Sequence, residues 1–191
     1  MKYNNTKKSQ RMQELYRKLL SNLYNSAIIL FMNIIFKYFW IFIIIVNIIN
    51  ANSLKNKSRS YITLNPELED GYNKIIKGFL IYANIPWIIM GTGILSGFTY
   101  TIFDYLTPDE LNPFVFLFYT SIIIIWLYGF YWIYVRGGAE YLAKHPGLIR
   151  KRKKVITSPA LIKFYTAITV LGGITIIIIL FTGGINLKFL R

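Results

Sequence analysis

The chain has 191 residues, 22 Lys or Arg against 8 Asp or Glu, and 54% hydrophobic residues. Its mean hydropathy of +0.43 and its long apolar runs exclude an ordinary soluble domain and favour a membrane protein. The chain lacks cysteine and has one histidine, which excludes thiolate metal sites, cysteine nucleophiles and multi-histidine centres. We therefore expect no cofactor and no metal ion, and predict no catalytic residue.

Residues 1–26 are predicted to form a basic amphipathic arm, and residues 27–191 a single membrane domain. Lys and Arg recur through the arm against the acid Glu14. Leu15, Leu19 and Leu23 recur at the spacing of one helix face, which is typical of a helix lying on a membrane surface.

Four apolar stretches follow the arm, at 27–49, 78–103, 113–135 and 158–185. Each is near or above the roughly 20 residues that cross the hydrocarbon core as a helix. The sequence therefore predicts an all-α integral membrane protein, a bundle of three transmembrane helices plus a fourth, N-terminal membrane helix. That fourth helix, 27–49, is left open as crossing, interfacial or re-entrant.

Basic residues predict the orientation of the bundle. The loop 136–157 is rich in Lys and Arg, whereas the connection with Asp104, Asp109 and Glu110 carries no base. Because cytoplasmic loops carry the excess of Lys and Arg, the loop 136–157 is predicted to be cytoplasmic.

The same rule conflicts with a full crossing at 27–49. The arm before this stretch is basic and is expected inside, yet a crossing there would place the arm outside. Lys37 also lies near the middle of the stretch, where a charge costs about 2.5–3.5 kcal/mol on insertion scales. An interfacial or re-entrant helix satisfies both observations.

Small residues inside two of the apolar stretches predict helix packing. Gly93 and Gly97 are four residues apart within 78–103, and Gly172 and Gly173 are adjacent within 158–185. Such positions let helix backbones approach closely. The sequence leaves open whether these glycines pack against helices of the same chain or of another copy.

A glycine-flanked elbow follows the third span. Residues 139–145 are predicted to form a short helix between Gly137-Gly138 and Pro146-Gly147, with Arg136, Glu140 and Lys144 at i, i+4 spacing on one face.

The basic residues of this loop are the candidate binding site, because each charge near an anionic leaflet contributes about 1 kcal/mol of attraction. The predicted partner- or lipid-binding residues are Arg136, Lys144, Arg150, Lys151, Arg152, Lys153 and Lys154. Anionic membrane lipids are the first expected partner and an acidic cytoplasmic protein the second. Nucleic acid is the least favoured.

These patterns favour a non-enzymatic polytopic membrane protein. We expect an oligomeric anchor or sensor, assembled with its own copies or other subunits, that presents a basic cytoplasmic face to an acidic partner or anionic lipid. Heavy use of Ile, Lys, Asn, Tyr and Phe is typical of an AT-rich gene. It fits a bacterial inner membrane, including a multi-protein defence system there, or an organelle inner membrane.

Two alternative functions stay open at this point. One is an oligomeric ion channel or pore, with Lys37 and Asn84 as the predicted polar lining. The other is a structural subunit of a large membrane energy-converting complex.

Overall fold

The computed structural model describes residues 2–108, 112–151 and 154–182, with side chains for 16–108, 112–149 and 155–182. Its helices are α1 (Lys2–Lys37), α2 (Phe39–Leu64), α3 (Glu69–Leu95), α4 (Phe103–Leu106), α5 (Pro113–Tyr134), α6 (Gly138–Ala143) and α7 (Pro159–Phe181). A 3-10 turn, Pro66–Leu68, joins α2 to α3, and Arg150–Lys151 pairs with Lys154–Val155 as two short antiparallel strands, β1 and β2.

The prediction of an all-α membrane protein is confirmed. Within the described residues, five helical segments are long and apolar enough to cross a membrane. They are Tyr16–Lys37, Phe39–Leu64, Pro66–Leu95, Pro113–Tyr134 and Pro159–Phe181.

The predicted helix 27–49 is wrong in its bounds, because the helix is interrupted at Tyr38 and two helices meet there. This residue has φ −103 and ψ 15, between the end of α1 and the start of α2. The segments on either side have 22 and 26 residues and each reaches spanning length. Lys37 therefore lies at a helix end rather than mid-span, and α1 runs through the predicted boundary between residues 26 and 27 without a break.

Four helices pack side by side as antiparallel neighbours, in the order α2, α3, α5, α7. Trp40 at the start of α2 lies against Gly91 near the end of α3. The rings of Tyr82 and Tyr128 join α3 to α5 at 5.7 Å, and Trp126 of α5 packs on Gly173 of α7. We name the end of the bundle where α2 finishes and α3 begins the basic end, and the other the opposite end.

The larger buried cluster lies at the opposite end and contains Met90, Ile94, Tyr105, Val115, Phe118 and Tyr119. The short helix α4 is held there because the Tyr119 hydroxyl donates to the Tyr105 carbonyl and the Tyr105 hydroxyl donates to the Met90 carbonyl. The end of α1 joins this region, where Phe36 and Phe103 meet edge to face at 4.6 Å.

The glycines predicted for helix packing have three different environments. Gly93 packs within the chain, since a Cβ there would lie 2.9 Å from Phe114. Gly173 also packs within the chain, under Trp126. Gly172 faces open space, so its packing role stays a prediction.

The predicted helix 78–103 is too long at its end, near Gly97. The helix α3 ends at Leu95, and Gly97 follows with φ +78. The N–H of Phe98 donates to the Gly93 carbonyl and the N–H of Gly97 to the Ile94 carbonyl, the Schellman arrangement that ends a helix. Gly97 is therefore a helix cap and not half of a packing pair inside one helix.

The remaining predicted spans are close to the structure. The stretch 113–135 corresponds to α5, whose start is capped because the Asn112 side chain accepts from the Phe114 N–H at 2.9 Å. The stretch 158–185 begins one residue before α7, and its positions 183–185 lie outside the described residues.

The break at Tyr38 generates a topology prediction. Because α2 runs from the opposite end to the basic end, a crossing by α1 returns the basic arm to the side of the basic end, in agreement with the charge rule. The chain has no native cysteine, so single-cysteine variants can be labelled cleanly. We expect Ser9→Cys and Ser60→Cys to react with an impermeant maleimide from one side of a sealed vesicle and Tyr100→Cys from the other. Labelling of Ser9→Cys together with Tyr100→Cys contradicts five crossings.

Candidate functional site

The basic end carries an ordered surface built from three parts of the chain. It consists of the end of α2, the start of α3 and the elbow that contains α6, and we name it the basic platform (residues 55–77 and 136–149). A second buried cluster, with Ile133, Ala139, Ile156 and Ile162, lies beneath it and fixes α6 to α5 and α7.

The side chain of His145 holds the elbow against α3. It is 6% exposed, and its Nδ1 lies 2.7 Å from the Tyr141 carbonyl oxygen, to which it donates because a carbonyl only accepts. The imidazole packs directly on Gly71, where a Cβ would lie 2.7 Å from Cε1. The imidazole also makes an edge-to-face contact with the Tyr72 ring, at 5.0 Å between centroids.

The two residues after His145 are held as well. The hydroxyl of Tyr72, which is fully buried, donates to the Pro146 carbonyl at 2.7 Å. Gly147 has φ +88 and lies against the ring of Tyr61 in α2, where a side chain would be strained and would overlap the ring. The elbow is therefore fixed to both α2 and α3.

An ion pair joins the elbow to α7 instead of the predicted ladder along one helix face. Lys163 donates to Glu140 at 2.8 Å. The predicted Arg136, Glu140 and Lys144 ladder is wrong, because Gly137 has φ +72 and α6 spans only Gly138–Ala143.

The same contact shifts the pKa of the Glu140 carboxyl. The hydrogen bond from Lys163 lowers the pKa of the Glu140 carboxyl. The Glu140 carboxylate is therefore charged at neutral pH, and its contribution to the ion pair is lost as the pH falls through that lowered pKa.

The basic platform presents more positive than negative charge to solvent. Exposed cations on it are Lys55, Lys57, Arg59, Lys74, Lys77, Arg136 and Lys144. Among the described side chains, ion pairs form between Lys74 and Asp70, at 2.6 Å, and between Lys163 and Glu140. The predicted binding residues Arg136 and Lys144 are therefore both exposed on the basic platform.

The rest of the predicted basic run lies beyond the described side chains. The backbone of Arg150 and Lys151 pairs with that of Lys154 and Val155, while Arg152 and Lys153 lie outside the described residues.

Asn84 and Lys37, the predicted pore lining, are not brought together. Asn84 is buried between α2 and α3, where its Oδ1 accepts from Asn47 Nδ2 at 3.0 Å and its own Nδ2 donates to the Leu80 carbonyl at 2.7 Å. Lys37 is exposed at the opposite end, with its Nζ 5.9 Å from the Tyr38 ring centroid. Asn84 lies 11 residues before the end of α3, which is roughly 16 Å along the helix.

Among the described residues, no three His, Asp or Glu side chains come together in a way that suits a metal ion. Comparison of the chain with protein-family models, curated proteins and solved structures finds no match.

Sequence reasoning missed the residues that hold the platform in place, namely Gly71, Tyr72, Tyr61 and Lys163. The glycine and proline residues around His145 indicated an elbow, but no local pattern indicated where the elbow docks. Tyr72 and Pro146 are 74 residues apart in the sequence.

The contact between His145 and Gly71 predicts a position-specific effect of adding one methyl group. Gly71→Ala forces the imidazole away, and we expect it to lower the free energy of unfolding by about 1–3 kcal/mol, the usual cost of overpacking. Gly78→Ala on the same helix meets open space and should leave stability unchanged or raise it by roughly 0.5–1 kcal/mol. Thermal unfolding in detergent measures both, and equal effects contradict the contact.

Proposed function

We propose that this chain is a non-enzymatic polytopic membrane anchor or sensor. Its bundle lies in the bilayer, and its basic platform binds an anionic surface on the cytoplasmic side. We further propose that it assembles with copies of itself or with other subunits. A bacterial inner membrane is the proposed location.

The observation that carries the proposal is the group of exposed cations on a fixed scaffold. Arg136 and Lys144 flank the short helix α6, and the contacts of His145, Pro146 and Gly147 fix that helix to α2 and α3. Charges on a fixed scaffold lose little conformational freedom on binding. Each contributes about 1 kcal/mol next to an anionic leaflet.

The proposed assembly is supported by apolar helix faces that are not buried within one chain. The most apolar stretches of α1 and α7 have no buried residue among those described, and Gly172 on α7 faces open space. Lipid or another chain covers these faces in a membrane.

Charge removal on the platform tests the proposal. With the protein in phosphatidylcholine nanodiscs, we expect Lys144→Gln to weaken binding to phosphatidylglycerol vesicles about fivefold, the effect of about 1 kcal/mol. Replacing Arg136, Lys144 and the run 150–154 together by Gln should abolish binding. The binding of the unmodified protein should also fall steeply as salt is raised through 0.1 M.

Lys37→Gln is the matched control, because it removes one exposed charge at the opposite end. It should leave vesicle binding unchanged. If Lys37→Gln and Lys144→Gln weaken binding equally, the platform is not the binding surface. If the platform variants bind vesicles normally but lose binding to polyglutamate, the anionic partner is a protein and not lipid.

A further inference from the structure

A groove opens laterally between α3 and α5 in the half of the bundle nearest the basic end. Its volume is about 590 Å³ and its lining is mostly apolar and aromatic. Gly78 and Gly129 line its middle together with the exposed side chains of Tyr82 and Tyr128, and Lys74 and Tyr141, which belong to the basic platform, line one end.

The groove exists because two side chains are missing from helices that are otherwise bulky. A Cβ built on Gly78 or on Gly129 meets no other atom within 4 Å. The two glycines therefore do not serve close packing of α3 on α5. They leave a space that larger side chains at the same positions would occupy.

The groove runs along the helix axes. From Lys74 to Ala83, its limits on α3, the rise is roughly 14 Å. The Tyr82 and Tyr128 rings are in contact, with their centroids 5.7 Å apart, and they bridge α3 and α5 at that level. A mostly apolar slot of this length suits an extended hydrocarbon chain.

The polar end of the groove is positively charged. Lys74 lines this end, and the exposed Lys77 lies outside the lining, next to Gly78 in the sequence. The Lys74 ammonium already contacts Asp70, but both side chains of this pair are at least 70% exposed, so the pair contributes little by itself. An ammonium has three donors, and two remain for another acceptor.

We propose that this groove binds one anionic phospholipid of the adjacent leaflet, with an acyl chain between Gly78 and Gly129 and the phosphate at the Lys74 ammonium. The proposal rests on the membrane placement proposed above and deepens it, because it names the lipid that the basic end selects. An apolar slot with a single cationic end matches the two halves of such a lipid in shape and charge.

Native mass spectrometry of the full chain, titrated in detergent with phosphatidylglycerol or phosphatidylcholine, tests the site. We expect the unmodified protein to retain one phosphatidylglycerol at lower lipid concentration than phosphatidylcholine. Gly78→Leu should fill the groove and lower phosphatidylglycerol occupancy at least tenfold. Lys74→Gln should remove the preference for phosphatidylglycerol while an acyl chain still binds.

Thr92→Leu is the control, because Thr92 is exposed on the same helix as Gly78 but lies outside the groove. It should keep full lipid occupancy. Unfolding curves check that all the variants are folded, and the smaller Gly78→Ala provides a second test if Gly78→Leu does not fold, with partial loss of occupancy expected.

Two results overturn the proposal. One is unchanged phosphatidylglycerol occupancy in folded Gly78→Leu. The other is a dimer of the unmodified protein that Gly78→Leu dissociates without loss of lipid, which makes the groove a contact between copies. Lys144→Gln separates this site from the rest of the platform, since it should weaken vesicle binding and leave the single bound lipid in place.

Discussion

The position of the basic platform depends on the packing of the His145 imidazole on the bare backbone of Gly71. Because Gly71 has no side chain, the elbow after α5 can turn back and lie on the start of α3. Tyr72 then reaches the Pro146 carbonyl, and Gly147 fits against Tyr61. A flexible loop with the same charges would sample many arrangements, whereas these contacts give Arg136 and Lys144 one arrangement relative to the bundle.

The fold class could be predicted from the long apolar runs of the sequence. Helix ends could be predicted where a capping residue or a proline marks them. Asn112 and Pro113 mark the start of α5, so its predicted bounds are nearly those observed. The break at Tyr38 has no proline or glycine beside it, and a hydropathy window does not detect it, so two helices were predicted as one. Gly97 was assigned to packing because four-residue spacing alone does not distinguish a packing glycine from a helix cap.

The candidate site was predictable only in part. The charges of Arg136 and Lys144 and the glycines around the elbow are local features, and the sequence located them. The partners of Glu140 and His145 come from α7 and α3, and pairings over such distances depend on the packing of the whole bundle. The groove beside Gly78 was missed for the same reason, because a glycine in an apolar helix looks identical whether it faces a neighbour or an open slot.

The central claim is that the elbow has one fixed position on the bundle. Because the chain has no native cysteine, spin labels at Asn56→Cys and Lys144→Cys report the separation between α2 and the elbow directly. Pulsed electron paramagnetic resonance of this pair in lipid nanodiscs should give one narrow distance distribution, unchanged between phosphatidylcholine and phosphatidylglycerol. A broad or two-peaked distribution in the otherwise unmodified protein would contradict the account.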